Sequence, residues 1–406
     1  MRVAVLGGGM QGCCAALALA ARGASVTLFD RSDRLFSRAA VANEGKIHLG
    51  YMYANDPTFA TARTMIRGAL SFAPFLARHL GIDPAALQLS DPAAYVVHRD
   101  SQRTPAEVAA YLEDVHRMIG EAAAGDPGCY FGRDLTGPLR RWSDGERNAV
   151  FDGGTAVAAF DSPEVAINPL DLAARFRERI AAEERITLRL GEEVLAVEDC
   201  AAPAVVLRDG EGARREGFDH VVNALWEGRL AIDATLGFAP SRPWLHRLKY
   251  GVSFRRPEPS PPLRSATFVS GPFGEVVNYR DGLVYLTWYP VCLTELSRET
   301  TPPFWATHPE EPDRSRLIAG TVAAMAAFIP ALRDLDATAL PEATARGGAI
   351  VAWGSTDIYD AGSELHRRFE IGITTHGRYH SVDPGKLTMA PWFGEGVADR
   401  ILGSGG

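Results

Sequence analysis

Two groups of residues near the N-terminus have the types and spacing to do chemistry. The first is Gly7-Gly8-Gly9-Met10-Gln11-Gly12, the spacing of a pyrophosphate cradle. Gly7 permits a tight turn, Gly9 lets the backbone approach phosphate oxygens, and Gly12 lets helix and strand pack closely. Unpaired N–H groups at the start of the following helix would face the anion, which brings Met10 and Gln11 against it. Asp30 lies 18 residues after Gly12, where a carboxylate receives a ribose 2′-OH and disfavours a 2′-phosphate. Arg31 beside it is a further candidate contact. The second group is Glu44, Lys46 and His48. If this segment is extended, alternation puts a carboxylate, a cation and an imidazole on one face. An imidazole there can accept a substrate proton near neutral pH or hydrogen-bond a cofactor.

Positioning these groups takes a strand, a turn, a helix and a second strand. Met1–Leu6, the apolar Cys13–Arg22 and Val26–Phe29 read in that order. Further helices are expected over Pro57–Leu80, Thr104–Ala124, Asn168–Ala182, Leu317–Leu332 and Leu387–Leu402. Strands are expected at Ala94–Arg99, Ile186–Leu190, Glu193–Val197, Ala204–Arg208 and Phe218–Ala224. From Pro240 the chain turns β-rich, with strands at Leu248–Arg255, Ala266–Ser270, Glu275–Tyr279 and Leu283–Trp288. Arg280-Asp281-Gly282 makes the hairpin turn between the last two. A strand at Phe369–Thr374 and a turn at Asp383–Lys386 precede the closing helix.

This order interleaves, giving an α/β chain in which a dinucleotide-binding domain is assembled from residues 1–80, 150–235 and 345–406. Residues 81–149 and 236–344 form an inserted antiparallel-sheet domain that holds the substrate. Nicotinamide dehydrogenases usually keep their nucleotide unit contiguous, and a split unit is more typical of flavoproteins.

The 406 residues are 46% hydrophobic, enough for a large core, and carry a net charge of −8. That charge, with no basic cluster, disfavours nucleic acid or an anionic membrane as partner. The apolar Val3–Ala21 run is broken by four glycines and Gln11, so it reads as neither a membrane span nor a signal peptide. Five cysteines suit a reduced, cytoplasmic protein, and adjacent Cys13 and Cys14 point in different directions on one helix. No Cys/His spacing suggests a metal: His376 and His380 flank what reads as a loop.

Three blocks together resemble the D-amino-acid oxidase/glycine oxidase superfamily: the glycine motif with Asp30, the strand end Asp219-x-Val221-Val222-Asn223-Ala224, and Gly385-Lys386-Leu387-Thr388-Met389-Ala390-Pro391. A fourth, Asn43-x-Gly45-x-Ile47-His48-x-Gly50-x-x-Tyr53, is similar to the flavin-contacting loop of the L-2-hydroxyglutarate oxidase/dehydrogenase branch. After Asn223-Ala224 the chain departs from the pattern, reading Leu225-Trp226-Glu227-Gly228 instead of Ala-Gly.

The resemblance implies a Rossmann-like, glutathione-reductase-type FAD-binding domain. It also implies bound FAD and oxidation of a C–N or C–O bond beside a carboxylate. Beyond the glycines, Asp30 and Arg31, it makes Asn43, Glu44, Gly45, Lys46, Ile47, His48, Val194, Asn223, Ala224, Trp226, Gly354, Gly385, Lys386, Leu387 and Thr388 candidate cofactor contacts. Reduced flavin is an anion, so Lys386 and the start of the closing helix are candidates to stabilise it. His48 is a candidate for substrate contact or, as in some relatives, for a covalent flavin link. Tyr285, Thr287 and Tyr289 share one face of their strand by alternation, with Tyr285 the candidate substrate contact. A carboxylate clamp would want an arginine, with Arg255, Arg280, Arg367 and Arg378 as candidates and Arg255 placed first. The reading that follows is an amino-acid or amine oxidase or dehydrogenase using hydride transfer to flavin N5. The alternatives are a 2-hydroxy-acid oxidase or dehydrogenase, and a nucleotide-binding module without turnover.

Overall fold

A computed structural model describes all residues except 127, 211 and 404–406. Strand β1 (Arg2–Leu6) and helix α1 (Met10–Ala21) lead to β2 (Ser25–Asp30), α2 (Ala60–Leu80), β3 (Ala94–His98), α3 (Pro105–Ala123) and α4 (Asp144–Val150). Then follow β4 (Ala156–Phe160), α5 (Pro169–Ala181), β5 (Ile186–Leu190), β6 (Val194–Glu198), β7 (Ala204–Asp209), β8 (Gly212–Gly217), β9 (His220–Asn223) and α6 (Arg229–Thr235). The β-rich region holds β10 (Trp244–Arg255), β11 (Ala266–Phe268), β12 (Gly274–Asn278), β13 (Leu283–Trp288), the single turn α7 (Tyr289–Cys292) and β14 (Leu293–Ser297). The chain closes with α8 (Asp313–Ala326), β15 (Thr344–Trp353), β16 (Gly372–His376), β17 (Tyr379–Asp383) and α9 (Ala390–Leu402).

Apolar strands buried on both faces make a parallel sheet. Its order is β16-β17-β9-β1-β2-β5, parallel throughout except for the β16 edge. Helix α1 is apolar all round, and all of it but its last residue is buried. It packs against α9, where Gly394 leaves no room for a side chain: a Cβ there would sit 2.9 Å from Cys14.

The second sheet is built around the 12-residue β10. β15 runs antiparallel along one edge of it, and β14 and β13 share the other. The sheet continues through β12, β11, β3 and β4. Thr104 and Ser143 each form a capping box that starts a helix in this half of the molecule.

Several expectations shift. Strand β15 has no counterpart in the sequence reading, because Gly347-Gly348 argues against a strand interior. Both glycines are needed for close approach: a Cβ would meet the Tyr250 ring at 2.5 Å and the Ala39 backbone at 3.0 Å. Strands β15 and β4 fall inside the ranges expected for the nucleotide-binding part, yet both hydrogen-bond into the antiparallel sheet. The expected loop between His376 and His380 is a tight hairpin in which His376 pairs with Tyr379, and β17 lies inside the parallel sheet. The helix expected to reach Leu332 stops at Ala326, ahead of Pro330.

Among the described residues no helix is long and apolar enough to cross a membrane, and no His, Cys, Asp or Glu group converges to hold a metal. His380 stacks on His220 inside the parallel sheet, and burial together with that neighbour pushes it down to about 4 from an ordinary 6.5. The unfolded chain therefore binds the proton first. The stability this buried neutral ring contributes is whole above pH 6.5 and is lost as pH falls through about 4. Thermal midpoints recorded at pH 7.5 and 5 should fall with acid, and His380→Phe should reduce the drop.

Candidate active site

A cavity of about 630 Å³ runs from the glycine turn to the antiparallel sheet. At the turn Gly7 has φ +105, and a Cβ there would stand 2.7 Å from the Ala224 carbonyl oxygen. A Cβ on Gly12 would be driven to 1.8 Å from the Gly7 carbonyl oxygen. Gly9 differs: a Cβ would meet nothing within 4 Å, because that side of Gly9 is open cavity. The Asp30 carboxylate accepts from the Gly8 N–H at 2.7 Å and the Ser32 N–H at 2.8 Å, so it stands fixed on the cavity wall. Gln11 lines the same wall with both side-chain amide atoms buried and unpartnered. Open space over Gly9, the helix start, a fixed carboxylate and an unsatisfied amide fit a dinucleotide.

Farther along the cavity the Asn43–Leu49 segment is stretched against residues 165–167. Ile47 N–H donates to the Val165 carbonyl at 3.1 Å and Ile167 N–H to the Gly45 carbonyl at 2.9 Å. Glu44, Lys46 and His48 consequently all line the cavity. Between them Ile47 is buried in the core, and Gly45, at φ +67, leaves no room for a Cβ beside the Ile167 carbonyl. The Asn43 side chain accepts from the Gly45 N–H at 2.8 Å, and the Thr388 hydroxyl accepts from the His48 N–H at 3.0 Å. The two loops singled out by sequence thus meet.

Four charged partners arrive from elsewhere. Lys249, on β10, lies 3.4 Å from Glu44 Oε2 and over the rings of Tyr285 and Tyr289. Glu275, on β12, binds the Lys46 ammonium at 2.9 Å, beside the Thr267 hydroxyl. Glu164 is wholly buried; it accepts from the Leu49 N–H at 2.6 Å and from the Tyr95 hydroxyl, and its Oε1 stands 3.4 Å from His48 Nδ1. Arg368 is buried behind Lys386; its guanidinium donates to the Leu365 and Val351 carbonyls, and its backbone N–H to the Thr61 hydroxyl.

Burial alone would raise the Glu44 carboxyl; Lys249, Lys386 and His48 outweigh it and hold the group ionised. Burial opposes the charge on Lys249, but the phenol rings and Glu44 keep it high. Lys386 has no such dedicated partner, and burial brings it down to about 8, with Glu44 pulling up and Arg368 and Lys249 pulling down.

Gly7, Gly9, Met10, Gln11, Asp30, Arg31, Asn43, Glu44, Lys46, His48, Val194, Ala224, Trp226, Gly385, Lys386 and Leu387 all line the cavity. Gly12, Gly45, Ile47 and Thr388 lie behind its wall. Other candidates are placed elsewhere. The Asn223 amide turns inward to the Arg229 carbonyl, Asp233 and the Tyr379 hydroxyl. Gly354 packs on Leu365, away from the cavity. Arg255 sits at the far end of β10, half exposed and paired with Asp281 and Glu342, because six positions of extended strand carry it away from Lys249. Tyr285 is buried under Lys249 with an unpartnered hydroxyl, while Tyr289 reaches the lining. Arg280, Arg367 and Arg378 are exposed; the inward arginine is Arg368, one residue on. Leu225-Trp226-Glu227-Gly228 forms a 3₁₀ turn in which Trp226 adopts φ +53 and donates to the Ala349 carbonyl, while Glu227 pairs with Arg31 and Arg38. The sequence signal for Lys249 is a lone cation inside the apolar run Leu248–Phe254.

A family model described as FAD dependent oxidoreductase matches residues 2–400. Comparison with curated proteins gave no match. Among solved structures, glycine oxidase from Geobacillus kaustophilus superposes with a TM-score of 0.67 at 18% identity, over 98% of this chain and 94% of that one. L-proline dehydrogenase from P. horikoshii gives 0.68 at 15% identity, over 99% and 93%. Iminodiacetate oxidase from Chelativorans sp. BNC1 gives 0.67 at 17%, over 100% and 96%. At such identities these likenesses establish the fold, and the narrower likeness to the L-2-hydroxyglutarate branch gains no support from them. A family match over nearly the whole chain, a fold shared end to end and a cavity suited to a dinucleotide lead to one conclusion: this chain belongs to the FAD-dependent oxidoreductases.

Proposed function

We propose that the protein oxidises the C–N bond of an amino acid or an amine that carries a carboxylate, by hydride transfer to FAD N5. The observation that carries the reading is the convergence of Lys249 and Lys386, with Arg368 behind them, on the cavity wall beside an ionised Glu44. FAD, when bound, supplies the two-electron acceptor. The two lysines hold the substrate carboxylate, and the Glu44 carboxylate accepts an N–H from the substrate nitrogen. His48 lies 3.9 Å from Glu44 Oε1 and takes up the proton released from that nitrogen. The tyrosines around Lys249 exclude water and strengthen each of these contacts. Several neighbours in fold are named for amino-acid or amine substrates, which agrees with this reading. A 2-hydroxy acid is the second reading, favoured by the bracketing of His48 between Glu44 and Glu164, an arrangement suited to taking a hydroxyl proton.

Anaerobic titration of the flavin absorbance with amino acids, secondary amines and 2-hydroxy acids tests it. Bleaching by nitrogen compounds is the expected result; bleaching by hydroxy acids alone overturns it in favour of the second reading. Lys249→Met should raise KM by roughly 10- to 100-fold, as removal of a contact to a charged group worth about 1.5–3 kcal/mol predicts. The Lys386 ammonium is lost as pH rises through about 8, so kcat/KM should fall above that pH and Lys386→Met should flatten the limb.

A further inference from the structure

A second cavity, of about 550 Å³, shares no lining residue with the first. Its walls come from the segment after α3, the β12–β13 turn, the β4–α5 connection and His116 of α3. Two guanidinium groups line it, Arg133 and Arg280, drawn from segments 147 positions apart. Among the described residues neither makes a salt bridge or a side-chain hydrogen bond, whereas Arg31 and Arg38, which line the first cavity, both pair with Glu227.

One backbone hydrogen bond anchors each. The Arg133 N–H donates to the Tyr130 carbonyl at 3.0 Å, and the Arg280 N–H to the Leu89 carbonyl at 3.1 Å. The carboxylates on the walls are already engaged. Asp134 accepts from the Thr136 N–H and hydroxyl at 2.8 and 2.7 Å. Asp161 accepts from Arg140 at 2.7 Å, from the Trp142 indole at 2.8 Å and from Arg264 at 3.3 Å. Nearby Asp91 accepts from the Asn278 amide at 3.1 Å. Half-burial and then the charge of Arg280 disfavour the charged form of Arg133, with Tyr130 and Asp91 acting the other way. Both ring nitrogens of His116 are already engaged, one with the Gly137 carbonyl and the other with the Tyr51 hydroxyl.

We propose that this cavity binds a small organic or inorganic dianion, a dicarboxylate or a phosphate, forked between Arg133 and Arg280. Planar guanidinium groups suit either kind of anion through paired N–H donors, and the volume is that of a small-molecule site. The occupied site would stand close to the active-site loop, because Tyr130, in the turn that carries Arg133, donates to the Ile47 carbonyl at 2.6 Å.

Calorimetric titration of the FAD-loaded protein at low salt tests the proposal, with inorganic phosphate and succinate in separate arms. Saturable binding of at least one anion is expected, weakened about tenfold or more by Arg280→Gln and abolished by Arg133→Gln with Arg280→Gln, without change in the flavin spectrum. Arg280 is exposed, so its single variant keeps the test open if the double variant misfolds. No saturable heat from either anion up to about 10 mM overturns the proposal. So does binding that survives Arg280→Gln unchanged, or binding that perturbs the flavin spectrum, which would place the anion beside Lys249 and Lys386. Binding by phosphate alone or by succinate alone supports it and identifies the ligand class.

Discussion

Gly12→Ala protein is expected to purify without FAD and with a lowered thermal midpoint, whereas Gly9→Ala protein should lose FAD and keep its midpoint. The two glycines stand three positions apart in one motif and do different work. A methyl group on Gly12 would lie 1.8 Å from the Gly7 carbonyl oxygen, so α1 must move off β1. Overpacking a core costs about 1–3 kcal/mol, and a clash with backbone, which cannot rotate aside, belongs at or beyond the upper end. Displacing α1 also turns its unpaired N–H groups away from the cavity and removes the anion site. At Gly9 the methyl group meets no protein atom within 4 Å, and the backbone is extended at φ −83. Its cost to the free protein should stay within about 0.5 kcal/mol, and it fills only the space left for the cofactor. Flavin absorbance per protein and the melting midpoint of the flavin-free form separate the outcomes. A Gly12→Ala protein that keeps both would show that α1 and β1 can part without consequence.

Lys46→Met should destabilise the protein by about 3–5 kcal/mol, and Lys46→Met with Glu275→Gln should recover most of that loss. Lys46 and Glu275 are 2.9 Å apart, and their side chains are 1% and 9% exposed. Burial opposes the ammonium charge, and Glu275 is the chief group that sustains it, followed by Glu164. Removing the lysine leaves a carboxylate in a wall that water barely reaches, an expense far greater than the pair's own net worth. Neutralising Glu275 as well removes the uncompensated charge. Denaturant or thermal midpoints for the four members of the cycle measure the coupling; additive effects would mean that the two groups do not sense each other. The same pair joins the Asn43–Leu49 segment to β12, so the single variant should also loosen the wall next to Glu44 and His48.

The cavity wall at the glycine turn was legible because its logic is local. Gly7, Gly9, Gly12 and Asp30 sit within one strand–turn–helix–strand unit, where hydrogen bonding and sterics over 24 residues settle the geometry. Alternation in an extended segment likewise placed Glu44, Lys46 and His48 on one side, and only the pairing with residues 165–167 was needed to hold them there.

Other features depended on partners remote in the chain. Lys249 reads as an oddity in an apolar strand until Glu44, 205 positions earlier, meets it. Glu164 carries no motif, yet its burial against Leu49, Tyr95 and His48 makes it part of the site. Arg367 and Arg368 are indistinguishable in a segment without periodicity, and hydrogen bonds to the Leu365 and Val351 carbonyls hold the second one inward. Asn223 reads as a cofactor contact at a strand end, but Asp233 and Tyr379 draw its amide to the opposite side. Strand β15, hidden by two glycines, joins β10 because those glycines make room for Tyr250 and Ala39. The sequence by itself determined the glycine turn, the helix start and the fixed carboxylate at one end of the cavity, since backbone geometry and short-range alternation suffice for that. Only the tertiary structure decided which charges face the cavity, because a buried charge is tolerable only where folding delivers its counter-charge.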